Sequence, residues 1–241
     1  MKTTQRPKTI VRFIVDEKLD ISNHLIIIGT YKSKFHSMVS SQNERYEKLA
    51  KLSPRGQRIS IERELAWLYE PTRLKMLRSL AADMNEAWAK IEKEFIHRIE
   101  KIHERPFAFR KIRGVLSSAE RFGYDLEERW FATSMFRNKY AGIETAMHEL
   151  MHFMFLTYYK ETCVRQGLSE KQIWDVKESF TKLLNIEFDD LRFNTDRGYP
   201  ENKEVRDAIK RSWLATHDFE KTLAAAIRTE KALSRPVPAK S

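Results

Sequence analysis

The sequence predicts an α+β fold, mostly helical, with a small mixed or antiparallel sheet. Three observations carry this. Apolar residues recur at spacings of three and four over long stretches of the chain. Shorter apolar, β-branched or aromatic segments read instead as strands. Seven glycines and seven prolines among 241 residues leave room for regular elements and exclude low-complexity classes.

Ile10–Val15 and Leu25–Tyr31 are apolar and β-branched, and read as strands. Residues 33–57 are polar and Ser-rich, with Ser53-Pro54-Arg55-Gly56 as a breaker. From Ser60 to about Glu104 the pattern is helical. Leu65, Leu68, Met76, Leu80 and Met84 mark its first part, and Trp88, Ile91, Phe95, Ile99 and Ile102 its second. Pro71 is expected to kink or divide it. Residues 109–117 and 129–136 read as strands separated by a loop at Gly123. In the second, Trp130, Ala132, Ser134 and Phe136 share one face. A helix follows over 139–160. Ser169 and Gln172 form a capping box for the next helix, whose apolar stripe is Ile173, Val176, Phe180, Leu183 and Leu184. Residues 189–200 read as loop, 201–214 and 218–233 as short helices, and 234–241 as a disordered tail. The expected organisation is a basic N-terminal α/β segment (1–58), a core (59–190), a C-terminal helical segment (191–233) and the tail.

The net charge is +10, concentrated at the ends. Residues 1–60 hold 12 Lys/Arg against 5 Asp/Glu, and residues 61–190 are nearly balanced. No nucleic-acid fingerprint accompanies this charge. The longest aliphatic run, Leu25 to Ile28, is far short of the roughly 20 residues that span a bilayer. With no signal-like start and a single cysteine, Cys163, a cytoplasmic protein without membrane partners is expected.

The chemistry concentrates at His148-Glu149-Leu150-Met151-His152, an H-E-x-x-H pattern. On a helix, positions i and i+4 share a face, so both imidazoles can reach one metal ion. Glu149 lies about 100° around the helix, near the ion without ligating it, as suits a general base. Ile143, Met147, Leu150, Met154 and Tyr158 form an apolar stripe beside His148, His152, Phe155 and Tyr159. On the following helix Trp174, Glu178, Thr181 and Asn185 share a face opposite the apolar stripe. Glu178 is therefore the favoured third ligand, with Glu187, Asp189 and Asp190 as competitors. Glu144, one turn before His148, is the expected acceptor for a ligand imidazole. Tyr159, Tyr199 and His217 are candidate oxyanion helpers. Cys163 has no His partner by pattern and reads as incidental.

The segment from Glu144 to Asn185, with H-E-L-M-H, S-E-K-Q-I-W-D and K-E-S-F-T-K-L-L-N, resembles gluzincin-type zinc metallopeptidases, especially minigluzincins and short zincin-like proteins. The metzincin extension is absent, because Phe155 and Tyr158 stand where that class has Gly and His. The thermolysin-type signature around the third ligand is absent too. The resemblance implies a zincin-like fold with a backing helix, an H-E-x-x-H active-site helix and a following Glu-bearing helix. It implies one Zn²⁺ held by His148, His152 and Glu178, with Glu149 as base in peptide hydrolysis. It also implies that strand 129–136 is the sheet edge that binds an extended peptide or protein substrate. Two other expectations stand beside it: a catalytically silent zinc-binding interaction protein, and a nucleic-acid-associated protein that uses its basic termini.

Overall fold

The computed structural model describes residues 9–32, 43–119 and 121–233. The basic extreme N-terminus, residues 33–42 and the tail from Ser234 lie outside the described residues. The chain is mostly helical with one small mixed four-stranded sheet. It divides into two compact units: residues 1–92 with 109–146, and residues 93–108 with 147–241. The boundaries expected at 58 and 190 do not coincide with this division.

The first unit holds the sheet, in the order β1-β2-β4-β3. Strand β1 (Val11–Ile14) runs parallel to β2 (Ile112–Ser117), which runs parallel to β4 (Trp130–Ser134). Strand β3 (Tyr124–Asp125) pairs antiparallel with β4. All five residues of β4 are buried, so both faces of the strand are covered. The edge expected at 129–136 is covered in part: β3 pairs with Trp130 and Phe131, and among the described residues no strand pairs with Thr133 and Ser134 on that side. The two-residue β3 is too short to leave a periodic signal in the sequence.

Helix α1 (Glu17–Lys32) replaces the strand expected over 25–31. Its buried residues are Asp20, Ile21, Asn23, His24, Ile27 and Ile28, a helical spacing, while Ile26 is exposed. The run of isoleucines hid this period. The polar members explain why the helix is buried at all. Asp20 accepts hydrogen bonds from Ser117 Oγ, Ser118 N, Ser118 Oγ and Tyr69 Oη, and His24 sits between Tyr46 Oη and Ser118 Oγ.

Helix α2 (Asn43–Ala50) is followed by α3 (Pro54–Leu65). The expected breaker at 53–56 is a helix start instead. Ser53 is the N-cap, accepting from Gly56 N, and Pro54 occupies the first turn, where its missing N–H is harmless. Pro71 likewise opens α4 (Pro71–Ala89). Asn85 of α4 and Glu92, just beyond it, close the free edge of β1 with side chains. Asn85 Oδ1 accepts from Phe13 N and its Nδ2 donates to Phe13 O; Glu92 Oε1 accepts from Ile10 N, Val11 N and Trp88 Nε1. An edge strand's unpaired groups are thereby satisfied.

The second unit is helical. It comprises all but the first residue of α5 (Glu92–His103), the part of α6 (Lys139–Arg165) from Met147 onward, α7 (Glu170–Phe180), α8 (Leu184–Glu187), α9 (Lys203–Thr216) and α10 (Phe219–Leu233). The capping box of Ser169 and Gln172 is present. Short 3₁₀ turns at Thr181–Leu183, Asp189–Leu191 and Pro200–Asn202 punctuate the connections. In its aromatic core Phe180 stacks on Phe219, while Phe155 packs tilted against Phe180, and Tyr159 and His103 tilted against Phe219. No helix among the described residues is long and apolar enough to cross a membrane.

Candidate metal centre

The site lies in the second unit and is built from three pieces of chain: α6, α7 and the segment after α8. One turn of α6 puts His148 and His152 above one another, with ring centroids 4.4 Å apart and edge-on. From α7, Glu178 Oε2 stands 3.3 Å from His152 Nε2 and 3.5 Å from His148 Nε2. The three ligand atoms all lie within 4.8 Å of one another, so this group can hold a metal ion. The spacing is a direct check on fit. Bonds of about 2.0–2.1 Å in a tetrahedron place neighbouring donors about 3.3–3.4 Å apart.

The sequence reading missed the carboxylate that orients His148. Nδ1–H of His148 donates to Asp196 Oδ2 at 3.1 Å. That fixes the ring so that Nε2 turns toward Glu178, the arrangement in which a carboxylate sets a ligand imidazole's tautomer. Asp196 is itself held from several sides. Arg206 donates to its Oδ1 and its carbonyl, while Asn185 exchanges two hydrogen bonds with its backbone. Arg206 also reaches Thr181 Oγ1 at 2.8 Å, tying the loop to the end of α7. Gly198 permits this approach. Its φ is +64°, and a Cβ there would stand 2.5 Å from the Arg206 guanidinium carbon. Glu144, the expected acceptor, is not the group facing Nδ1.

A second residue the sequence reading missed is Lys177. Its side chain is only 2% exposed and its Nζ is 2.9 Å from Glu178 Oε1.

The electrostatics follow from this packing. Burial opposes a charge on His148, but hydrogen bonds to Asp196 and Glu178 outweigh it and raise the ring to about 10. Burial lowers His152 to about 3, more than Glu178 can offset. Burial alone would raise Glu178, yet His152, Lys177 and the imidazole hydrogen bonds hold it well below the usual carboxylate range. Asp196 is likewise drawn down against its burial, to about 2, chiefly by His148. Glu149 goes the other way: burial lifts it to about 7, and among the described residues its Oε2 has no hydrogen-bond partner.

Two of the competing carboxylates are committed elsewhere. Glu187 accepts from Trp213 Nε1 and Asp190 pairs with Arg98 through both oxygens. Asp189 opens a 3₁₀ turn. Of the expected oxyanion helpers, Tyr159 donates its hydroxyl to the His103 carbonyl at 2.7 Å inside the aromatic core. His217 ends α9 in the left-handed conformation, φ 47°, and packs edge-on against Trp213. Both have structural work. Tyr199 alone is carried toward the ligand helix: it stacks on Trp174, one turn before Glu178. Cys163 is buried, and burial pushes its thiol up to about 11, which makes it inert as a nucleophile.

Compared with protein families, with curated proteins and with solved structures, the chain finds no match.

Proposed function

We propose that this chain is a zinc-dependent metallopeptidase of zincin-like fold, with His148, His152 and Glu178 as ligands and Glu149 as general base. The convergence of two imidazole nitrogens on one carboxylate oxygen, with a second buried carboxylate beside them, carries the reading. Two imidazoles, each 3.3–3.5 Å from one carboxylate oxygen, suit zinc, and a His₂Glu set leaves a coordination position open, as catalytic sites require. A bound zinc ion supplies Lewis acidity toward a water and a substrate carbonyl oxygen.

The chain's own residues do the rest. His148 and His152 present Nε2, and Asp196 keeps the His148 ring from turning. Glu149 is raised by burial to about 7, where a carboxylate can both take a proton from water and return it to a leaving amine near neutral pH. Its unpartnered Oε2 is the atom for that work. The H-E-x-x-H order with a later glutamate supports a peptide or protein as substrate; the geometry supports hydrolysis.

Glu149→Gln tests this. The variant should keep its metal and lose hydrolysis of a peptide library by about 10²–10⁴-fold. Full activity in that variant would remove Glu149 from the base role.

A further inference from the structure

Ammonium groups are rarely buried unless an acceptor compensates them. Lys177 is one of the largest fully buried side chains in the protein. Its acceptor is the third-ligand carboxylate itself, Glu178 Oε1, at 2.9 Å. This pairing runs against helix geometry. Neighbours in sequence point about 100° apart on a helix, and i,i+1 side chains do not normally face each other. The lysine stem must curl toward its neighbour, and the ammonium is also 5.8 Å from the ring centre of Trp174, one turn earlier. An aromatic face on one side and a carboxylate oxygen on the other hold the cation in place.

The two oxygens of Glu178 are thus divided. Oε2 faces both imidazoles, and Oε1 faces Lys177. We propose that Lys177 is a positioning residue that claims Oε1 and leaves Glu178 to offer the metal ion a single oxygen. The proposal rests on the metal-site reading above and adds a function to it. A carboxylate with both oxygens free can chelate an ion through both and fill a position that water or substrate needs. A carboxylate with one oxygen tied to an ammonium keeps that position open. The role of Lys177 is to set coordination number through Glu178.

Zinc is spectroscopically silent, so the full-length chain is loaded with Co²⁺ and its visible absorption recorded, wild type beside Lys177→Met. Wild type should give the intense bands of four-coordinate Co²⁺. The variant should bind Co²⁺ with those bands weakened on the order of twofold, as five-coordinate ions absorb. Bands of unchanged shape and intensity in Lys177→Met would overturn the proposal and leave Lys177 a packing residue. A wild-type chain that takes up no Co²⁺ and no Zn²⁺ would overturn the metal reading itself, and the proposal with it. X-ray absorption of the wild-type zinc form gives an answer even where the variant does not fold. A one-oxygen carboxylate supports the proposal, and a two-oxygen carboxylate refutes it.

Discussion

At the scale of single residues, the site divides into what one helix encodes and what only the tertiary fold assembles. His148, Glu149 and His152 were legible because their spacing is local: five consecutive letters fix one face of α6. Glu178 was legible from the mixed face it shares with Trp174 and Thr181. Asp196 was not, since it lies in an aperiodic segment and reaches His148 only through contacts of Arg206 and Asn185 across distant parts of the sequence. Lys177 borders the apolar stripe of α7, where a lysine is normally read as solvated. Its burial was the missed signal. Two outcomes belong at this scale. Asp196→Ala should weaken zinc affinity about 10–100-fold in a chelator competition, as loss of an orienting partner does elsewhere; unchanged affinity would deny Asp196 that role. His103 gives a pH effect away from the site. Its ring is buried against Tyr159 and Phe219, its nitrogens have no hydrogen-bond partner among the described residues, and burial lowers it to about 3. The unfolded ring titrates near 6.5. Above that pH both states are neutral. As pH falls from 6.5 toward 3 the unfolded chain takes up a proton the folded one refuses, so stability is lost at about 1.4 kcal/mol per pH unit. Urea midpoints between pH 6.5 and 5 should therefore fall less steeply in His103→Phe than in wild type. Parallel pH curves would contradict it.

At the scale of elements, most helices and the strands β1, β2 and β4 were readable, and the second N-terminal element was not. Periodicity and the capping box located α5, α6, α7, α9 and α10. The failures share a cause: local composition was trusted where tertiary contacts decide. The β-branched run at Ile26–Ile28 suggested a strand, but the network on Asp20 and His24 buries it as helix α1. The segment Ser53–Gly56 suggested a break, but Pro54 opens α3; Pro71 divides the helical stretch as expected and opens α4. Strand β3, too short to read, covers β4 over Trp130 and Phe131. Strand β1, a true edge, is protected by Glu92, whose single oxygen Oε1 serves three donors. Glu92→Ala leaves those donors unsatisfied in a buried place and should destabilise the fold by about 3 kcal/mol or more in urea unfolding. A loss below measurement error would mean that water serves the edge equally well.

At the scale of the whole molecule, metal, protons and stability are linked. In the metal-free protein His148 is raised to about 10, so at neutral pH it carries a proton that an incoming ion must expel. Zinc affinity should rise about tenfold per pH unit between pH 6 and 8, with one proton released per ion. A flat pH profile would mean that His148 holds no proton at neutral pH in the metal-free protein. The same binding should stabilise the folded chain by about 4 kcal/mol when free zinc is about a thousand times Kd, and chelation should lower Tm accordingly. The net charge of +10 plays no part in this linkage. The most direct test of the central claim is elemental analysis of the purified chain, wild type beside Glu178→Ala, after mild chelation. One zinc per wild-type chain, lost in the variant, is the expected result. No zinc in the wild type under metal-replete conditions, or equal zinc in both, would contradict the three-ligand site.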